Sequence, residues 1–279
     1  MNIQWYPGHM TKAKRMMTED MKLIDLVIEI VDARVPVASR NPDIDEMAGN
    51  KSRMILLNKS DLADEKITKA WQDYFKAKGM TVVILDCKNK TGINKIQSAI
   101  LEACAKKIER DRARGILNRP VRAMIVGIPN VGKSTFINTI CKRACTKTGD
   151  KPGVTKGKQW IKLNKQTELL DTPGILWPKF DNEEVGCRLA FIGSINDEII
   201  DKRELVLLLI DALRTLYPQA MADRYGIEND NDSYKMLCDI AKVRGCLKKG
   251  GELDTEKTAD IILDEFRAGK LGRISLERP

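Results

Sequence analysis

The sequence predicts an α/β protein: a mostly parallel sheet with helices on both faces, followed by a small all-α domain. Two observations carry this. Short apolar segments rich in β-branched residues alternate with stretches of helical spacing, which is the pattern of βαβ units. Past Pro178 the strand signals stop and only helical spacing continues. The expected division is therefore residues 1–178 and 179–279.

Taken in order, residues 23–31 read as a buried strand ending at Asp32, and 53–57 as a second ending at Asn58. Residues 81–85 make a third ending at Asp86, with helices over 67–78 and 93–108. A basic linker, 110–120, leads to a strand over 121–126, a glycine-rich turn and a helix over 133–141. One more strand, 167–170, ends at Asp171. Each time, the chemically loaded residues follow the carboxyl end of a strand, where open α/β sheets bind ligands. Helices are then expected over 183–192, 199–217, 233–243 and 255–268. Ala259, Ile262, Leu263 and Phe266 share one face of the last, and Asp197, Asp232 and Asp254 are expected N-caps.

The 279 residues suffice for one α/β domain plus a smaller one, and 43% hydrophobic with 31% charged content fits a soluble protein. The longest apolar run, 205–210, is far too short to span a bilayer, and no signal or transit pattern opens the chain. A cytoplasmic protein without membrane contact is expected. Seven cysteines, odd in number and without Cys-x-x-Cys spacing, read as reduced thiols; Cys141 and Cys145 alone make no zinc site. The net charge of +9 is uneven: residues 1–177 carry 32 Lys/Arg against 19 acids, residues 178–279 only 16 against 20. Between 142 and 165 stand eight basic residues and one acid, and a second basic cluster spans 106–122. A single lysine is ordinarily a solvated one. A dense one-signed loop points to a polyanion such as RNA, with Lys242, Arg244, Lys248 and Lys249 a smaller candidate patch.

Residues 127–134 fit G-x-x-x-x-G-K-[ST]. That turn curls so that backbone N–H groups, from Asn130, Val131 and Gly132 to Lys133, Ser134 and Thr135, cradle phosphates at a helix N-terminus. Lys133 reaches the β- and γ-phosphates as a catalytic cation, and Ser134 takes Mg2+. Asp171 to Gly174 supplies D-x-x-G: the Asp holds the Mg2+ water shell and the Gly174 N–H meets the γ-phosphate. Residues Asn58, Lys59, Ser60 and Asp61 form N-K-x-D, which selects guanine. The Asp61 carboxylate accepts from guanine's N1–H and exocyclic amine, the Asn58 amide addresses the N7/O6 edge, and the Lys59 stem covers the ring. Together these motifs imply binding of GTP and GDP. Their order is permuted, since the guanine motif precedes the phosphate motif by about seventy residues. The D-x-x-G segment therefore leads straight into the helical domain.

The motif order, Trp-Tyr-Pro-Gly-His-Met at 5–10, Asp-Ala-Arg-Val-Pro at 32–36 and the helical tail closely resemble the ribosome biogenesis GTPase A family of circularly permuted P-loop GTPases. The resemblance covers nearly the whole chain. It implies a GTPase acting in late assembly of the large ribosomal subunit, bound to rRNA and ribosomal proteins of the precursor and stimulated by it. It also implies that Asn130 helps coordinate K+, that Thr155 ligates Mg2+ when GTP is bound, and that backbone at Asp86 and Cys87 meets guanine O6. Ile175 stands where Ras-like enzymes place a water-orienting Gln. The resemblance points to His9 as the substitute, while a structural histidine remains the other reading. The chain is expected to act as a monomer and to leave the subunit after hydrolysis. Two alternatives stay open: a GTPase acting on another RNA such as tRNA, and a GTP-dependent switch that barely turns over.

Overall fold

The computed structural model describes residues 8–117, 119–141, 159–172, 176 and 182–279, with backbone alone for 8–13 and 159. After a helix, α1 (Gly8–Met21), come β1 (Leu26–Asp32), α2 (Asp43–Ala48), β2 (Ser52–Asn58), α3 (Glu65–Ala77) and β3 (Thr81–Ile84). A 3-10 turn at Ile93–Lys95 opens α4 (Ile96–Ala103), followed by α5 (Ala105–Ala113), β4 (Val121–Val126), α6 (Lys133–Ile140), β5 (Gln159–Asn164) and β6 (Thr167–Asp171). The sheet order is β3-β2-β1-β4-β6-β5, parallel throughout except for the β5–β6 pair.

Alternation along the strands explains why both faces are covered. On β2, Met54 and Leu56 enter the larger core with Ile96 and Ile100 of α4, while Ile55 and Leu57 pack with Trp71 and Phe75 of α3. Buried on both sides, such strands are near-continuous apolar runs, which is what made them readable. The antiparallel edge strand β5 is not among the expected strands. Trp160 and Lys162 are exposed while Ile161 is buried, so its pattern is a brief alternation inside a basic stretch. The single helix expected over 93–108 breaks at Cys104, and α5 runs on into the expected linker.

The C-terminal helices are α7 (Glu183–Phe191), α8 (Lys202–Leu216), α9 (Ala220–Tyr225), α10 (Ser233–Val243) and α11 (Thr255–Arg267). The stripe of Leu205, Leu209, Ile210 and Leu213 makes α8 the centre, packed against the other four. Each such side chain stabilises by about 2 kcal/mol on burial. Asp232 and Asp254 cap α10 and α11 as expected, and the named face of α11 is buried. Asp197 is not a cap: Asn196 and Asp201 cap the neighbouring turn and α8, while Asp197 pairs with Arg267 at 2.7 Å. The short α9 was absent from the expected helices. The expected boundary at 178/179 lies outside the described residues.

Beyond α11 the chain returns to the first half. The N–H of Leu276 donates to the Arg34 carbonyl (2.8 Å), and the Glu277 carboxylate accepts from the N–H groups of Val37 (2.6 Å) and Ala38 (2.9 Å).

Candidate functional site

Because five of the six strands are parallel, their carboxyl ends open on one edge of the sheet. Across that edge lie, in spatial order, the loops beginning at Asp86, Asn58, Asp32 and Gly127, then Asp171. The chain winds away from β1 toward β2 and β3, and away from β4 toward β6. The β1/β4 boundary is thus the topological switch point at which such sheets bind ligands.

The guanine and phosphate motifs, some seventy residues apart in sequence, meet through Asn58. Its Nδ2 donates to the Val131 carbonyl at 2.8 Å, and its Oδ1 accepts from the Cys87 N–H at 3.2 Å. The sequence reading aims this amide at guanine; in the structure it is 2% exposed and braces two loops against each other. Gly132 adopts φ 99, and a Cβ there would lie 2.4 Å from Asn58 Nδ2, so close approach of these loops requires glycine. Lys59 (φ 57) and Asn130 (φ 63) hold left-handed backbone without being glycine, the local strain that clusters at ligand sites.

At the guanine end, Ser60 N–H donates to the Leu85 carbonyl (3.0 Å), and Asn89 donates to Asp86 from both backbone (3.0 Å) and side chain (2.6 Å). Asp61 is half-buried; burial, then the neighbouring Asp86, raises its carboxyl pKa. Burial pushes the Cys87 thiol up to about 12, so it stays protonated. Beneath lies Asp32, accepting from Arg34 Nε (2.9 Å) and Nη2 (2.8 Å), with Lys59 Nζ 3.2 Å away. Burial alone would raise the Asp32 pKa, but Arg34 and Lys59 hold it well below the carboxylate range. The sequence displayed Asp32 and Arg34 as the end of a strand and as part of a resemblance; their ion pair carried no local signature.

At the phosphate end, Lys133 Nζ donates to the carbonyls of Gly127 and Ile128, both at 2.9 Å. Burial pushes its ammonium down to about 8, against the opposing pull of Asp171. Asp171, registered beside Ile125 of β4, is 1% exposed, and burial drives its carboxyl up to about 6 despite Lys133. Among the described residues neither Asp171 oxygen finds a hydrogen-bond partner. Two orphaned buried oxygens facing the phosphate turn fit a hydrated divalent cation. The turn is also held from the helical side. Asn130 Nδ2 donates to the Gly193 carbonyl (2.6 Å), and Ser194 Oγ donates to the Pro129 carbonyl (2.8 Å). These contacts were not foreseen, because nothing local marks residues 193–194.

Thr155, Gly174 and the His9 side chain lie outside the described residues, as does most of the basic stretch 142–165. His9 itself falls at the start of α1. In the smaller basic patch, Arg244 is committed to Glu265 (2.8 Å) and to the Tyr225 ring, whereas Lys248 and Lys249 are exposed.

A phosphate-binding turn, an acidic Mg2+ position and a guanine loop on one sheet edge define a P-loop GTPase with circularly permuted motifs. Residues 122–240 match the family described as 50S ribosome-binding GTPase. Ribosome biogenesis GTPase A of Bacillus cereus is 48% identical over 280 residues, spanning 100% of this chain and 95% of that one. Among solved structures, GDP-bound TM YlqF aligns with a TM-score of 0.69 at 32% identity, covering 95% of this chain and 99% of that one. GNP-bound YlqF from T. maritima aligns at 0.67 and 33% identity, covering 96% and 98%. The chain belongs to the ribosome biogenesis GTPase A family.

Proposed function

We propose that this GTPase is an assembly factor for the large ribosomal subunit that acts late in its maturation, binds rRNA, and leaves on hydrolysis. The observation carrying the site's part in this is the Asn58 bridge, which draws the guanine and phosphate motifs into one pocket. The partner is argued from the relatives, whose printed names assign them to ribosome biogenesis.

In this reading Asp61 accepts from guanine's N1–H and amine, Lys59 covers the ring, and backbone at Ser60, Asp86 and Cys87 completes the base site. Backbone N–H groups of residues 130–135 and Gly174 hold the phosphates. Lys133 leaves the carbonyls of Gly127 and Ile128 to meet the β- and γ-phosphates, where its positive charge offsets charge developing on the transferred group. Ser134, Thr155 and Asp171 hold Mg2+, which when bound neutralises charge on the phosphate oxygens. Asn130 contributes to a K+ site through its amide oxygen, the nitrogen being given to Gly193. His9 positions the attacking water when the protein is bound to the subunit.

RNA contact falls to residues 142–165 and to Lys242, Lys248 and Lys249, with Arg244 bracing the patch from within. The protein works as a cytoplasmic monomer. Among the described residues no helix is long and apolar enough to cross a membrane. Co-sedimentation with large-subunit precursors should be stronger with a non-hydrolysable GTP analogue than with GDP. Equal sedimentation under both nucleotides would sink this assignment. A second reading, a switch with little turnover, is favoured by Ile175 in place of a water-orienting Gln. Turnover unchanged by subunits, and equal in Na+ and K+, would favour it.

A further inference from the structure

The guanine loop is braced by residues from the far end of the chain. Arg273 Nη2 donates to the Ser60 carbonyl at 3.0 Å and its Nε to the Ala63 carbonyl at 2.8 Å. The Ile274 N–H donates to the Leu62 carbonyl at 2.9 Å, and Ser275 Oγ accepts from the Asp64 N–H at 3.1 Å. Asp61 thus sits on a segment whose backbone is tied down on either side by four hydrogen bonds to three consecutive tail residues. From below, Arg34 is clamped between Asp32 and α11: its Nη1 donates to the Phe266 carbonyl (3.3 Å), and its guanidinium lies 5.1 Å from the Phe266 ring centroid. Arg34 is 1% exposed, so its geometry has no slack.

We propose that Arg273 and Arg34 are positioning residues for guanine recognition, so that base selectivity depends on a docked C-terminal tail. Neither side chain need touch the nucleotide. Arg273 fixes the backbone that aims the Asp61 carboxylate, and Arg34, through Asp32, fixes the Lys59 ammonium. Linkage then works both ways: a docked tail tightens guanine binding, and bound guanine tightens the tail. A partner that grips the helical end of the molecule and lifts residues 273–277 acts as a guanine-nucleotide release factor. The inference rests on the assignment of Asp61 to guanine, and the test separates the two.

The decisive comparison is GDP against inosine diphosphate, which lacks the exocyclic amine, in the full-length protein and in Arg273→Ala. The Arg273 side chain is about half exposed at 48%, so its loss leaves the core intact. Wild-type protein should prefer GDP. In Arg273→Ala, GDP affinity should fall roughly tenfold, the scale of losing hydrogen bonds to a charged group, and the GDP/inosine ratio should shrink at least about threefold. A variant that weakens both nucleotides equally, with the ratio intact, overturns the proposal, because a merely structural role lowers affinity without touching selectivity. A wild-type protein indifferent to the amine overturns the Asp61 assignment and this inference with it. As a second measurement needing no variant, GDP should slow amide exchange at Ile274 and Leu276 severalfold more than pyrophosphate does. Equal protection by the two ligands refutes the coupling.

Discussion

Asp32 and Asp171 are both buried aspartates closing parallel strands at the same sheet edge, yet the protein treats them in opposite ways. Asp32 is enclosed by Arg34 and Lys59, and its pKa is held low. Asp171 has neither oxygen hydrogen-bonded among the described residues, and its pKa is driven up to about 6. A satisfied buried charge is a structural part. An unsatisfied one is a cost that persists where a ligand repays it. The contrast separates a guanine end whose buried carboxylate is ion-paired from a phosphate end whose buried carboxylate has no hydrogen-bond partner among the described residues.

The largest effect should come from Asp32→Asn, which strands the buried Arg34 and the half-buried Lys59. About 3–5 kcal/mol of unfolding free energy should be lost in urea titration. Asp171→Asn should behave in reverse: single-turnover GTP hydrolysis should drop about a hundredfold while stability holds or rises. If both variants lose stability alike, the contrast is broken. It can be sharpened by pH. A raised Asp171 pKa means its stabilising contribution is complete below the unfolded value near 4 and lost as pH rises through about 6. The stability advantage of Asp171→Asn over wild type should therefore grow by about 1–3 kcal/mol between pH 4 and 6 and stay level above. A flat difference would mean that Asp171 is solvated. The smallest effect lies in the helical part. There the hydrogen bond from Arg224 holds the Glu265 carboxyl at about 2, so its contribution is present above the ordinary carboxylate value and lost as pH falls. The deficit of Glu265→Gln in thermal melts should shrink from pH 5 toward pH 2.

The same contrast sets what could be read from the sequence. Motif residues such as Asp171, Lys133 and Asp61 announce themselves because ligand chemistry restricts residue type at fixed local spacing. The two-sided burial of β1, β2 and β4 is likewise written as apolar runs. Asn58 was legible as a motif but not as a brace, since its partners Val131 and Cys87 lie in other segments. Arg273, Ser194 and Glu277 were invisible. Each works through a backbone group on a distant loop, and backbone groups impose no pattern on the residues that carry them. Strand β5 and helix α9 were missed for a different reason: six residues are too few for periodicity to rise above composition.

The returning tail also sets a timetable. Val37 and Glu277 touch although 240 positions separate them, and Ser60 waits 213 positions for Arg273. During synthesis the guanine loop leaves the ribosome long before its clasp exists. Nascent chains stalled before residue 273 should consequently hold guanine nucleotides poorly, and competence should arrive abruptly once residues 273–277 are free to dock rather than build up with length.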